Sequence, residues 1–274
     1  MISVISAAVT DVGKVRDNNE DNYYLNGKYR ENTDMLNDEC EDRTPRKKYV
    51  FSVCDGMGGE ACGELASLIA VKSLVKYADK KFKECVNDYV TYANKLICNE
   101  IENNGGVRIG STLALLYIDE TGAYGYNIGD SRIYLMRDRC LKQLSRDHTL
   151  AQSMVDMGLL KSENMNSHSG KHKLTQHFGI FPDELVIQPY ETEVVPIREN
   201  DVFIICSDGL TDMIDDKELA SIACEKLSPK NMSSKLVDIA VKKGGKDNIT
   251  VIVAKIDKVY DEHSKSFWSK IFDK

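Results

Sequence analysis

The chain has 274 residues, 42% hydrophobic and 29% charged, the make-up of a soluble globular protein with one sizeable domain or two small ones. Its formal net charge of -7 argues against non-specific nucleic-acid binding, which draws affinity from Lys and Arg neutralising phosphates, so any phosphate site must be positive locally. The cysteines form no CxxC pair and several lie in apolar or helical runs, which reads as buried free thiols. The N-terminal MISVISAAVTDVG lacks a basic leader and no apolar run reaches membrane-spanning length, so a cytoplasmic protein is expected.

In chain order, Ile2 to Val9 alternates like a strand, Tyr23 to Leu25 starts a second, and Tyr49 to Cys54 is a third. The polar stretch 26–48 between them suits an exposed hairpin tip or a partly disordered loop. Glu64 to Tyr77 and Phe82 to Ile101 carry helical apolar spacing and predict an antiparallel helical hairpin. Strands dominate from Thr112 to Leu144, and 147–179 is mixed and polar with a short helix at Leu150 to Met157. Strand signals return at Leu185 to Val195 and Val202 to Cys206, helices at Asp216 to Lys226 and Met232 to Lys242, and a last strand at Ile249 to Ile256. Strands in runs and helices in pairs fit helices packed outside antiparallel sheets better than strict β-α-β alternation.

Three of these apolar runs deliver an aspartate into a turn: YVFSVC into Asp55, AYGYNIG into Asp130 and VFIICS into Asp208. Asp247 stands at the other end of its strand, just before Ile249. Each aspartate alone reads as a turn or cap residue. Together at one rim they would repel one another unless a cation compensates them, which suggests a metal site of oxygen ligands. Carboxylates, carbonyls and water suit Mg²⁺ and Mn²⁺. In VRDNNED, Arg16 offers a planar fork for two phosphate oxygens, and Glu20 and Asp21 can hold metal-bound waters. Gly58, Gly59, Gly110 and Gly129 read as turn residues.

Taken in order, Arg16-x3-Glu20-Asp21, Asp55-Gly56-Met57-Gly58-Gly59, Gly110-Ser111-Thr112, Gly129-Asp130-Ser131-Arg132, Ser207-Asp208-Gly209 and Asp247-Asn248 resemble the metal-dependent serine/threonine protein phosphatases of type 2C, the PPM family. The resemblance spans about residues 3–257, and DGMGG is the form associated with bacterial members. It implies an α+β fold, a four-layer α-β-β-α sandwich of two antiparallel sheets flanked by helix pairs, in a catalytic domain over 1–257 followed by a short tail. It implies two core Mn²⁺ or Mg²⁺ ions, bridged by Asp55, with the Gly56 carbonyl on the first and Asp208 and Asp247 on the second. Asp130 and Asp208 would hold a third, weaker ion, with Glu20, Asp21 and Asn248 behind the ligands. Such enzymes hydrolyse phosphoserine and phosphothreonine by attack of a metal-bridging hydroxide, so phosphoproteins made by a Ser/Thr kinase are the expected partners of a monomeric enzyme. Many eukaryotic members carry a proton-donating histidine where this chain has Met57, which leaves the leaving-group acid unassigned.

A pseudophosphatase that only binds phosphoproteins is the competing reading, but Asp55, Asp130, Asp208, Asp247 and Arg16 are all retained. A nucleotide-binding module would need a GxxxxGK[ST] loop or a basic stripe, and neither is present. Two C-x5-R matches, Cys40 to Arg46 and Cys140 to Arg146, lack the run of free amide donors of a cysteine-phosphatase loop. His168, His172 and His177 have no nearby partner at ligand spacing and read as a loop. In the family a variable flap falls here, so 147–179 is expected to shape substrate access. The apolar SFWSKIF at 266–272 is expected to dock on its own domain.

Overall fold

The computed structural model describes residues 2–58 and 62–260; Gly59 and the 266–272 patch lie outside them. Its first half runs β1 (Ile2–Asp11), β2 (Asn22–Leu25), β3 (Lys28–Tyr29), β4 (Asp38–Asp42), β5 (Tyr49–Cys54), β6 (Gly56–Gly58), α1 (Gly63–Leu74) and α2 (Phe82–Asn103). Then follow β7 (Ile109–Ser111), β8 (Leu113–Asp119), β9 (Gly122–Ile128), β10 (Arg132–Arg137), β11 (Cys140–Gln143) and α3 (Leu150–Asp156). The chain ends with β12 (Tyr190–Glu191), β13 (Val202–Cys206), α4 (Asp208–Thr211), α5 (Asp216–Ala223), α6 (Pro229–Lys242) and β14 (Ile249–Val259).

Two six-stranded antiparallel sheets, ordered β11-β10-β13-β14-β1-β4 and β12-β9-β8-β5-β2-β3, stack face to face. Between them lies a dry core that includes Phe51, Leu116, Phe203 and Ile252. Helices α1 and α2 cover the outer face of the second sheet, where Ala66, Leu74, Tyr89 and Ile97 meet Val50, Leu115 and Tyr117. On the other side α5 and α6 cover the first sheet, with Leu219, Leu236 and Ala240 against Ile204, Cys206 and Val251. This is the α-β-β-α sandwich. It also explains why the strands show little polar alternation: β5 sends Tyr49, Phe51 and Val53 between the sheets and Val50 and Cys54 toward the helices, so both faces are buried.

Register lines up the strand ends. β13 pairs with β14 up to Cys206 opposite Val251, so the end of one strand lies beside the start of the other. In the second sheet Val53 faces Ala114, and Leu113 faces Ile128, which brings the ends of β5 and β9 to the same edge.

Several elements depart from the sequence reading. The stretch 26–48 is not simply a loop tip: β3 extends the second sheet and β4 pairs with β1 from Ser6–Asp42 to Thr10–Asp38. An edge strand pairs through its backbone and needs no apolar alternation, so the acidic DECED gave no signal. Conversely, Leu185 to Val195 looked like a strand, yet only Tyr190–Glu191 pairs in a ladder with β9. Leu185 and Val186 are exposed and Ile187 packs against the α2 side instead. Asp208 opens the one-turn helix α4, where a plain turn was expected.

Phe203 is fully buried between the sheets. Phe203→Ala should lower unfolding free energy by about 3–5 kcal/mol, whereas Val186→Ala at an exposed site should change it by less than about 0.5 kcal/mol. Urea titration followed by circular dichroism measures both.

Candidate metal centre and active site

The rim is assembled by short polar contacts from different strands. Asp55 leaves β5 with its amide donating to Thr112 Oγ1 and its carbonyl accepting from the Thr112 amide, both at 2.9 Å. Thr112 Oγ1 also lies 2.7 Å from Ser131 Oγ, which ties the Asp55 turn to the turn carrying Asp130. That second turn needs glycine: Gly129 has φ +91°, and a Cβ there would stand 2.7 Å from Thr112 Cγ2. Gly56 is constrained by crowding, because a Cβ would fall 2.2 Å from the Gly63 carbonyl oxygen and 2.4 Å from that of Glu20.

A second group of contacts holds the loop between β1 and β2. Asn248 Oδ1 accepts from the Glu20 amide at 2.8 Å, and its Nδ2 donates to the carbonyls of Val12 and Asn18. Arg30, fully buried, donates to the carbonyls of Asn19 and Asp21 at 2.5 Å each and to Met35 at 2.6 Å. Sequence reasoning missed Arg30, because it sits in a segment that looked solvent-exposed. Asp21 is buried beneath the rim; Ser207 Oγ donates to its Oδ2 at 2.7 Å, while its Oδ1 has no partner.

The aspartates named from the sequence share one electrostatic environment. Burial pushes Asp55 well above the usual carboxylate range, and the charges of Asp21, Asp208, Asp130 and Asp247 push it further. Asp130 is raised by burial and then by Asp208 and Asp147. Burial, with Asp247 and Asp208 adding to it, pushes Asp21 up to about 7 against the opposing Ser207 hydrogen bond. Glu20 is raised by burial and by Glu64. Arg16 lies at the exposed edge, its Nη2 2.7 Å from Asp247 Oδ2, and feels Glu20 and Asp55 as well.

Other motif residues serve structure. Arg132 turns away into a buried two-pronged pair with Asp147, its Nη2 2.6 Å from Oδ2. Gly110 lies opposite Met57 in the β6–β7 ribbon. Neither C-x5-R match forms a phosphate cradle: Arg46 pairs with Asp42, and Arg146 with Asp156. His172 corrects the sequence reading, since its Nδ1 lies 3.5 Å from Asp208 Oδ2 and its Nε2 3.5 Å from Asp212 Oδ2. Those partners are distant in sequence, so ligand spacing within the segment gave no sign of them. His168 and His177 make local contacts, with Gly170 and with the Phe178 carbonyl.

An all-oxygen rim in which buried carboxylates raise one another's pKa, one with an orphaned oxygen, fits hard divalent cations. A family profile described as "Protein phosphatase 2C" matches residues 27–239. The chain belongs to the protein phosphatase 2C family. It is 30% identical over 264 residues to "Serine/threonine phosphatase stp" of Listeria monocytogenes, covering 90% of this chain and 94% of that protein. A crystal structure of the Mycobacterium tuberculosis serine/threonine phosphatase PstP/Ppp superposes with a TM-score of 0.77 at 27% identity, over 94% of this chain and all of that one. The PstP catalytic domain "in complex with 2 Manganese ions" gives 0.75 at 26% identity over the same share of this chain and 100% of its own.

Mutual repulsion at this family's rim has a measurable cost. Because the folded state raises the Asp55 pKa, its charged form opposes folding at neutral pH. Asp55→Asn should therefore melt higher than the parent chain in EDTA at neutral pH, and should gain much less on adding Mn²⁺. Differential scanning fluorimetry with and without the ion reads both effects.

Proposed function

We propose that this chain hydrolyses phosphoserine and phosphothreonine in proteins, using two Mn²⁺ or Mg²⁺ ions held by Asp55, the Gly56 carbonyl, Asp208 and Asp247. What supports it is the convergence of Asp55, Asp208 and Asp247 on one rim from three different strand ends, above the buried, half-partnered Asp21. Two such ions lower the pKa of a water and offset the charge that builds up in an in-line displacement at phosphorus.

The chain's own groups do the rest. Asp55 feels the charges of Asp208, Asp130 and Asp247 and would join the two ions. Asp130 shares its environment with Asp208 and would serve an outer ion with it. Glu20 and Asp21 lie behind the ligands to orient waters, and Asn248 keeps their loop in place. Arg16 is half exposed, and its ion pair with Asp247 is of the surface kind worth about 0–1 kcal/mol. With Asp247 holding a cation, the guanidinium fork would be free to grip two phosphate oxygens. Met57 has no proton to give, so the leaving alkoxide takes its proton from water.

In this reading the catalytic unit, expected over 1–257, runs on to Val259 because Lys258 and Val259 still pair with Ser3 and Ile2; 147–179 is a flap at its edge, and a short tail follows. The substrates are phosphoproteins made by a Ser/Thr kinase, and the enzyme acts as a cytoplasmic monomer. No described helix is long and apolar enough to cross a membrane.

Hydrolysis of a phosphothreonine peptide should require Mn²⁺ or Mg²⁺, vanish in EDTA and in Asp208→Asn, and survive thiol alkylation under native conditions. Turnover by rigorously metal-free protein would overturn the proposal. Arg16→Ala should raise KM clearly with a smaller loss in kcat; an unchanged KM would remove Arg16 from the site. Asp55→Asn should be inactive even at high Mn²⁺, whereas Asp130→Ala should keep two tight ions by calorimetry while turnover falls.

A further inference from the structure

We propose that His172 is a protein ligand of the outer ion together with Asp130 and Asp208, which makes that site a mixed nitrogen–oxygen site and ties the 147–179 segment to the rim through the ion. The inference rests on the metal-dependent reading above and adds to it a nitrogen donor, with the choice of ion that follows from it.

One ligand atom from each of Asp130, His172 and Asp208 lies within 4.8 Å of the other two. The Asp130 side chain points to an occupant, because the residue is only 9% exposed and its carboxylate accepts no hydrogen bond from any other described residue. It lines a small solvent-open pocket, with about 10 Å³ of room for a water-sized sphere, shared with His172, Asp208, Lys171 and Asp212. That room corresponds to about one water-sized sphere, which suits a single ion.

The imidazole is set up for ligation. Nε2 faces Asp212 Oδ2 at 3.5 Å, and Lys171 Nζ holds the other Asp212 oxygen at 2.5 Å. An Nε2 proton shared with that carboxylate leaves the Nδ1 lone pair free, and Nδ1 faces Asp208 Oδ2 at 3.5 Å. This is the carboxylate–histidine–metal arrangement in which an outer carboxylate fixes the tautomer and ring orientation. A separation of 3.5 Å is long for a hydrogen bond, but metal–ligand bonds of about 2.0–2.2 Å place adjacent ligand atoms roughly 3–3.6 Å apart. A ring nitrogen shifts preference away from Mg²⁺ toward Mn²⁺, Co²⁺ or Zn²⁺. His172 is exposed and is not one of the ligands assigned to the two-ion core, so its substitution should leave that core intact.

The test uses the full chain, stripped with a chelator and reloaded stepwise with Mn²⁺, read by calorimetry and by pulsed electron paramagnetic resonance. Two tight ions should bind first; the third should bring in ¹⁴N modulation from a directly bound nitrogen. His172→Ala should keep the two tight ions, weaken the third at least tenfold and lose the modulation. With Zn²⁺ and Mg²⁺ as competing probes, the third site of the parent chain should prefer Zn²⁺, and His172→Ala should lose that preference. Absence of ¹⁴N modulation, only two ions in the parent chain, or a third site unchanged in His172→Ala would each overturn the proposal and leave an imidazole–carboxylate contact. Loss of the two tight ions in the parent chain would instead sink the two-ion reading itself.

Discussion

Repulsion among carboxylates gathered at the ends of buried strands is the constraint on which this molecule depends. Asp55, Asp130 and Asp21 are each desolvated, and each lies in the field of other aspartates. In water such charges would separate; here the strands carrying them are locked by a core that buries both faces of β5 and β13. The hydrophobic sandwich thus holds in place a charge cluster that is unfavourable by itself. Divalent cations convert that cost into binding energy, since any ligand taken up only by the folded state stabilises it.

Holding the cluster takes a second layer of backbone-directed contacts. Asn248 joins the start of β14 to the loop carrying Arg16, Glu20 and Asp21, and Arg30 reaches the same loop from the opposite side. Arg30 is unusual in donating to carbonyls alone, with its Nε unpaired. Burial lowers its pKa, and the nearby Asp21 charge opposes that shift most strongly. The Asp21 charge therefore offsets part of the cost of burying the Arg30 guanidinium. Close backbone approach completes the frame: a Cβ on Gly209 would stand 2.0 Å from the Asn248 carbonyl oxygen, just as one on Gly56 would strike Gly63 and Glu20.

The 147–179 segment is joined to the rim at both ends. Asp147 anchors its start through the buried pair with Arg132, and Phe178 closes it by a two-way backbone pairing with Ser111, next to the Thr112 that orients Asp55. Between these anchors, Lys171 and His172 reach over to Asp212 and Asp208. The outer edge of the carboxylate cluster is thus bordered by one stretch of chain.

The amino-acid sequence by itself determined the elements and most of the candidate ligands. The apolar runs at Tyr49–Cys54, Val202–Cys206 and Ile249 onward carry strand periodicity locally, and each meets an aspartate within two residues of its end, so both signals lie within a few positions of each other. Tertiary structure alone decided the rest. The edge strand β4 exists because β1 offers it a backbone ladder, and Leu185 to Val195 fails to form a long strand because only two of its residues meet the edge of β9 in a ladder. Arg30, Ser207 and Thr112 act through partners brought close by sheet register. His172 meets Asp208 only because the segment folds back across the rim. Local periodicity reports which face of an element is buried; which polar atoms then meet across strands is set by packing, and no spacing within one segment encodes it.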